Sequence, residues 1–146
     1  MLKAQSSIVI DRSVEEVFRY IAHNFFDNYP KWDASVVDLK KTSPAPMGLG
    51  TQGWQIMDGN GWRAENDFYV NDYEPSCRFS ITGSGQTYFK NSYALEPVGS
   101  STKLIYDFEF SLQSFGKLFE ALMAKAVKKA SQETVCNLQK LIETSA

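Results

Sequence analysis

The chain has 146 residues, 43% hydrophobic and 22% charged, with a formal net charge of -2. That is the length of one domain with room for a real core. The charge balance lacks the basic footprint of a nucleic-acid binder, and no apolar run approaches the length of a membrane span. An aromatic content of 14% is high and suits a chain that lines a cavity as well as filling a core.

Residues Leu2–Ile10 read as a strand, ending in Ile8, Val9 and Ile10. Met1 to Ile10 is too short and too polar for a signal peptide. Ser13 followed three residues later by Glu16 is a capping box, and Val14, Val17, Phe18 and Ile21 follow at helical spacing, predicting a helix to about Ala22. Asn24–Lys31 is aromatic-rich and broken by Pro30, which predicts a turn or helical kink before Trp32.

Strand patterns cover Val36–Lys41, Thr51–Met57, Trp62–Tyr73, Cys77–Thr82, Thr87–Glu96 and Thr102–Ser111. Asp58-Gly59-Asn60-Gly61 is a hairpin signal; Glu74-Pro75-Ser76 and Pro97–Ser101 are further turns. An antiparallel meander joined by the N-terminal strand follows. From Phe115 to about Glu143 the period becomes helical. Phe115, Leu118, Phe119, Leu122, Met123, Ala126, Val127, Ala130, Thr134, Val135, Leu138, Leu141 and Ile142 are assigned to one stripe that lies on the sheet. Lys117, Lys125, Lys128 and Lys129 fit a solvated face of that helix.

Alternation assigns the inner faces of the strands. They are Leu104, Tyr106, Phe108 and Phe110; Phe89, Tyr93 and Leu95 with Asn91; Trp62, Ala64, Phe68 and Val70 with Asn66; Trp54 and Ile56 with Gln52; and Cys77, Phe79 and Ile81. Gln52, Asn66 and Asn91 are then inward, polar and neutral. They either bond within an ordinary core or orient a ligand's polar head in a cavity.

Cys77 and Cys136 have no metal-like spacing, which fits reduced thiols and a cytoplasmic protein. His23 ends the first helix, where capping or solvation suits it. Cys-x-x-Cys and His-Glu-x-x-His do not occur, so neither a metal nor a cofactor is expected. Gly48–Gly53 is glycine-rich without the lysine of a phosphate loop and reads as a gate.

The ordered pieces Ser7–Phe18, Trp32, Gly50-Thr51, Val70–Pro75, Tyr93–Pro97 and Ser101–Leu104 resemble the START-like helix-grip superfamily (SRPBCC), which includes Bet v 1-like proteins and the polyketide cyclase/dehydrase family. Ser13 stands where that family often has proline. The resemblance implies an α+β helix-grip domain over residues 1–146. In it a seven-stranded curved antiparallel sheet wraps a long C-terminal helix, with two short helices after the first strand. It implies a hydrophobic cavity between sheet and helix, but no single activity.

The expected function is therefore binding of a small apolar ligand such as a lipid, quinone or polyketide. Its contacts are expected at Trp32, Gln52, Trp54, Trp62, Asn66, Phe68, Phe79, Phe89, Asn91, Tyr93, Tyr106, Leu118, Phe119, Leu122, Met123 and Ala126. A second reading is a metal-free polyketide cyclase/dehydrase or aromatase, using Tyr93, Tyr106 or Asp72. Alternation places no charged side chain securely inward, which weighs against proton transfer. A third reading is a protein-interaction module with Phe25, Phe26 and Tyr29 exposed as the contact; otherwise these cover the cavity mouth. Monomer and dimer both remain open.

Overall fold

A computed structural model of the chain describes residues 1–59, 61–84, 87–112 and 117–145, without the side chains of Trp62, Ser84, Thr87, Leu112 and residues 117–120. Phe115 and Asn60 lie outside the described residues, as do the side chains of Trp62, Leu118 and Phe119. The elements run β1 (Leu2–Ile10), α1 (Val14–Phe18), a π-helical turn over Arg19–His23, α2 (Phe25–Trp32), β2 (Val36–Lys41), β3 (Gln52–Gly59), β4 (Trp62–Glu74), β5 (Arg78–Ser84), β6 (Thr87–Val98), β7 (Ser101–Leu112) and α3 (Lys117–Thr144). The strands form one antiparallel sheet in the order β1-β7-β6-β5-β4-β3-β2. This is the helix grip expected from the sequence.

Ser13 caps α1, its Oγ accepting the Glu16 N–H at 3.3 Å. The helix does not run on unbroken to Ala22: it widens into the π turn and restarts as α2. α2 is a full helix rather than a loose turn, despite Pro30 inside it. Phe25, Tyr29 and Trp32 share one face at helical spacing, and all three are buried. Burial of that face outweighs the backbone bond that Pro30 cannot make.

Those rings plug the sheet. Phe25 stacks on Tyr29 at 4.5 Å between centroids and meets Phe79 at 5.3 Å. Phe79 in turn stacks on Tyr93 at 5.9 Å, and Trp32 meets Tyr93 edge-on at 6.2 Å. Phe68 and Phe89 lie flat across glycines on neighbouring strands. A Cβ on Gly53 would stand 2.3 Å from the Phe68 ring, and one on Gly83 would stand 1.9 Å from Phe89. The bare backbone is what lets both rings stay down on the sheet.

Among the described residues of α3, those that are buried lie in its second half, from Ser131 onward. Ser131, Val135, Leu138 and Ile142 are buried, and Ser131 Oγ donates to Ser6 Oγ at 2.8 Å. Gln139 Nε2 donates to the Val9 carbonyl, and Glu143 accepts the Asp11 N–H, each at 2.9 Å. The single apolar stripe expected along this helix is corrected. Leu122 is 72% exposed and Ala126 is exposed too. From Leu122 to Ser131 is roughly two and a half turns, so the two point to opposite sides. The line that continues the buried face is Met123 and Val127, both half-buried.

Replacing Gly83 by alanine is expected to cost about 1–3 kcal/mol, because the Phe89 ring must leave its place. A urea midpoint equal to that of the parent chain would contradict this packing.

Candidate functional site

The concave face has a filled end and a thinly covered end. The filled end holds Phe25, Tyr29, Trp32, Phe79 and Tyr93, each at most 2% exposed. Cover thins along β1 and β7. Where Ser131 meets Ser6, the paired residue on β7 is Tyr106, which is buried. Further along the register come Phe108, opposite Ala4, and Phe110, opposite Leu2. Phe108 and Phe110 are only partly buried and stack on each other at 6.0 Å. Phe89 pairs with Phe110, and Asn91 with Phe108. Opposite this aromatic wall runs the first half of α3, with Met123 and Val127 on its inward side. Phe108 and Phe110 thus present ring surface that the described part of α3 leaves partly uncovered.

At the boundary between the two ends stand buried polar groups. Asn91 Nδ2 donates to Tyr29 Oη at 3.3 Å, while Asn91 Oδ1 has no partner. Tyr93 Oη and Trp32 Nε1 are likewise buried without protein partners, as are both amide atoms of Gln55, which lies apart, three strands away on β3. The Trp32 indole leans toward the Tyr93 phenol but closes no hydrogen bond with it. Leaving such atoms unmatched costs about 1–3 kcal/mol each, so a guest that bonds them gains what the protein forgoes.

Electrostatics at this boundary favour neutral groups. Burial pushes the Tyr29, Tyr93 and Tyr106 phenols above their ordinary range, and the negative charge of Asp33 raises all three further. The Asn91 bond offsets only part of the rise at Tyr29. These phenols are hydrogen-bond donors, not bases. Among the described residues the buried polar side chains are all uncharged, and no cluster of His, Cys, Asp and Glu suited to a metal is found.

Of the residues expected as contacts, Trp32, Asn66, Phe68, Phe79, Phe89, Asn91, Tyr93 and Tyr106 are buried in the grip. Others are placed differently. Gln52 and Trp54, expected inward, lie on the outer face. Gln52 is exposed, and Trp54 sits under Lys40 Nζ at 5.7 Å while donating Nε1–H to Glu65 at 2.8 Å. Gln55, fully buried, takes the inward place. Gly59 pairs with Trp62 across the hairpin, so odd positions of β3 face even positions of β4, and Gln55 lies opposite Asn66. Two residues lie between Gly59 and Trp62 in the sequence, and this spacing fixes the parity. Leu122 and Ala126 leave the set, whereas Met123 stays. Asp72 lies outside, its carboxylate 2.9 Å from Arg78 Nε. Phe25 and Tyr29 are buried rather than presented to a partner, and Phe26 packs on Phe68 at 5.9 Å. Two open hollows, of about 360 and 380 Å³, lie along the strands, one among Lys3, Lys90, Asp107 and Glu109 with Ala4 and Phe108, the other among Thr42, Gln52 and Asp67 with Phe68 and Tyr69.

The family model described as polyketide cyclase/dehydrase and lipid transport matches residues 1–143, and the chain belongs to that family. Its fold recurs in TTHA0849 from Thermus thermophilus, with a TM-score of 0.72 at 19% identity, over 97% of this chain and 94% of that one. The di-domain ARO/CYC BexL from the BE-7585A biosynthetic pathway aligns with a TM-score of 0.74 at 17% identity, over 98% of this chain and 47% of its own. Truncated norcoclaurine synthase from Thalictrum flavum aligns with a TM-score of 0.71 at 13% identity, over 99% and 94%. No curated protein matches by sequence. At these identities the structural likeness carries the fold alone. Among the described residues, no helix is long and apolar enough to cross a membrane.

A phenol kept neutral in the fold, but ionising near pH 10 once unfolded, adds stability that is whole below about pH 10 and falls as pH rises toward its folded value. Unfolding free energy is therefore expected to drop above about pH 10, by up to roughly 1.4 kcal/mol per pH unit for each buried tyrosine. Tyr93→Phe should flatten that decline and cost little at pH 7, since its hydroxyl has no partner to lose. Urea titrations from pH 8 to 11 measure both; an unchanged slope in the variant would show Tyr93 ionising freely in the fold.

Proposed function

We propose that this member of the polyketide cyclase/dehydrase and lipid transport family binds a small apolar molecule. The guest would lie between the thinly covered end of the concave face and the first half of α3. The observation that supports this best is the half-covered aromatic wall of Phe108 and Phe110, facing a helix whose described residues are buried only from Ser131 onward. The driving force is apolar burial, about 25 cal/mol for each Å² removed from water. The unmatched Asn91 and Tyr93 atoms at the inner end supply orientation.

A second reading has the bound molecule undergo a cyclisation or dehydration, with the Tyr93 phenol as hydrogen-bond donor to a carbonyl oxygen. Its unpaired, neutral hydroxyl favours that role. The acid considered for the base, Asp72, is tied to Arg78 on the outer face, so any base must be water or the substrate itself. Binding comes first in both readings.

Native mass spectrometry on protein from its own host, followed by solvent extraction, is expected to reveal a co-purifying apolar compound. The site itself is tested with the neutral fluorophore N-phenyl-1-naphthylamine. Met123→Lys and Phe108→Lys should each weaken its binding about tenfold or more, the equivalent of losing one buried apolar contact. Leu122→Lys, on the far side of the helix, should leave it unchanged. Equal affinities across all three variants would remove the site from this part of the grip.

A further inference from the structure

We infer that the grip selects guests whose polar end is uncharged, a ketone, quinone or hydroxyl, and discriminates against carboxylates. The inference rests on the binding reading above and adds the chemistry of the head group. The groups left to satisfy are Trp32 Nε1–H, a donor; Tyr93 O–H, a donor; and Asn91 Oδ1, an acceptor. Together they present donors and acceptors in mixture, which fits a carbonyl beside a hydroxyl. A carboxylate and a lone ketone both offer acceptors only and leave Asn91 Oδ1 unmatched, so the count alone does not separate them.

Charge decides more strongly than count. A buried carboxylate needs a cation or several donors to replace its water, and an unpaired buried ion is far costlier than an unpaired amide. Among the described residues none of the buried polar side chains is a lysine or arginine. Of the cations near α2, Lys31 turns its Nζ to Asn28 Oδ1 at 3.1 Å, and His23 is exposed at the end of the π turn. The formal charge that does reach the tyrosine hydroxyls is negative, that of Asp33. An anionic head there meets desolvation and repulsion together, whereas a neutral carbonyl meets two unused donors.

The experiment is displacement of N-phenyl-1-naphthylamine at pH 7 by two guests with one ring system, 2-acetylnaphthalene and 2-naphthoate. The ketone is expected to displace the probe at a concentration at least tenfold lower. In Tyr93→Phe and in Asn91→Leu, both close in shape to the parent, the ketone's advantage over the carboxylate, each read against the probe's affinity in that variant, should shrink severalfold. Equal potency of ketone and carboxylate, or a carboxylate advantage, overturns the inference, as does an advantage undiminished in both variants. Those results leave the binding reading intact, because the probe is still displaced. A chain that does not bind the probe at all loses the binding reading, and this inference with it.

Discussion

The stack of Phe25, Tyr29 and Trp32 against Phe79 and Tyr93 sets the terms for the rest of the molecule. A strongly curved sheet must bury its concave face against something, and here α2 supplies large rings at one end. Aromatic side chains bury much area with few rotatable bonds, so a short helix can fill space that would otherwise need a long one. With that end closed, α3 is needed over only part of the sheet. Its second half is anchored by Ser131, Gln139 and Glu143, and its first half is released from the core.

The glycines belong to the same arrangement. Phe68 and Phe89 lie across Gly53 and Gly83, so two bulky rings on the inner face take up little depth. A side chain at either glycine would push a ring up into the grip. The depth above the sheet is thus controlled by missing atoms on β3 and β5. These positions look unimportant for packing until the rings above them are seen.

Much of the fold is legible in the sequence because its signals are local. The capping box at Ser13, the alternation of Leu104, Tyr106, Phe108 and Phe110, and the turn residues each report on a few neighbours. The site is legible only in part, because its position depends on phase. In β3 the more hydrophobic register, Trp54 and Ile56, faces outward, and the glycine-containing register with Gln55 faces in. Hydrophobicity alone chooses wrongly there; the parity set by the Gly59–Trp62 pairing chooses correctly. In α3 an approximate period drifts over so long a span. Leu122 and Leu138 both look apolar and in step, yet accumulated rotation sets one in solvent and the other in the core. In α2 the proline signals a break, but burial of a one-sided aromatic face prevails over it.

The buried polar atoms left without partners are the clearest break with the rules the rest of the chain obeys. Elsewhere the interior is consistent: Asn28 Nδ2 donates to the Tyr20 carbonyl, Thr102 Oγ1 to the Arg12 carbonyl, and Ser80 Oγ to Asn71 Oδ1. Against that background Gln55, Asn91 and Tyr93 are exceptions, and in each an apolar residue of similar shape would spare the desolvation cost. Natural sequences that depart from local consistency do so most often where function requires it. The departures here are uncharged and lie on the concave face, and Asn91 and Tyr93 stand where the aromatic plug gives way to the half-covered wall. A guest that is mostly hydrocarbon with one neutral oxygenated end answers both halves of that boundary: its rings or chain replace the missing cover, and its oxygen meets the unused donors.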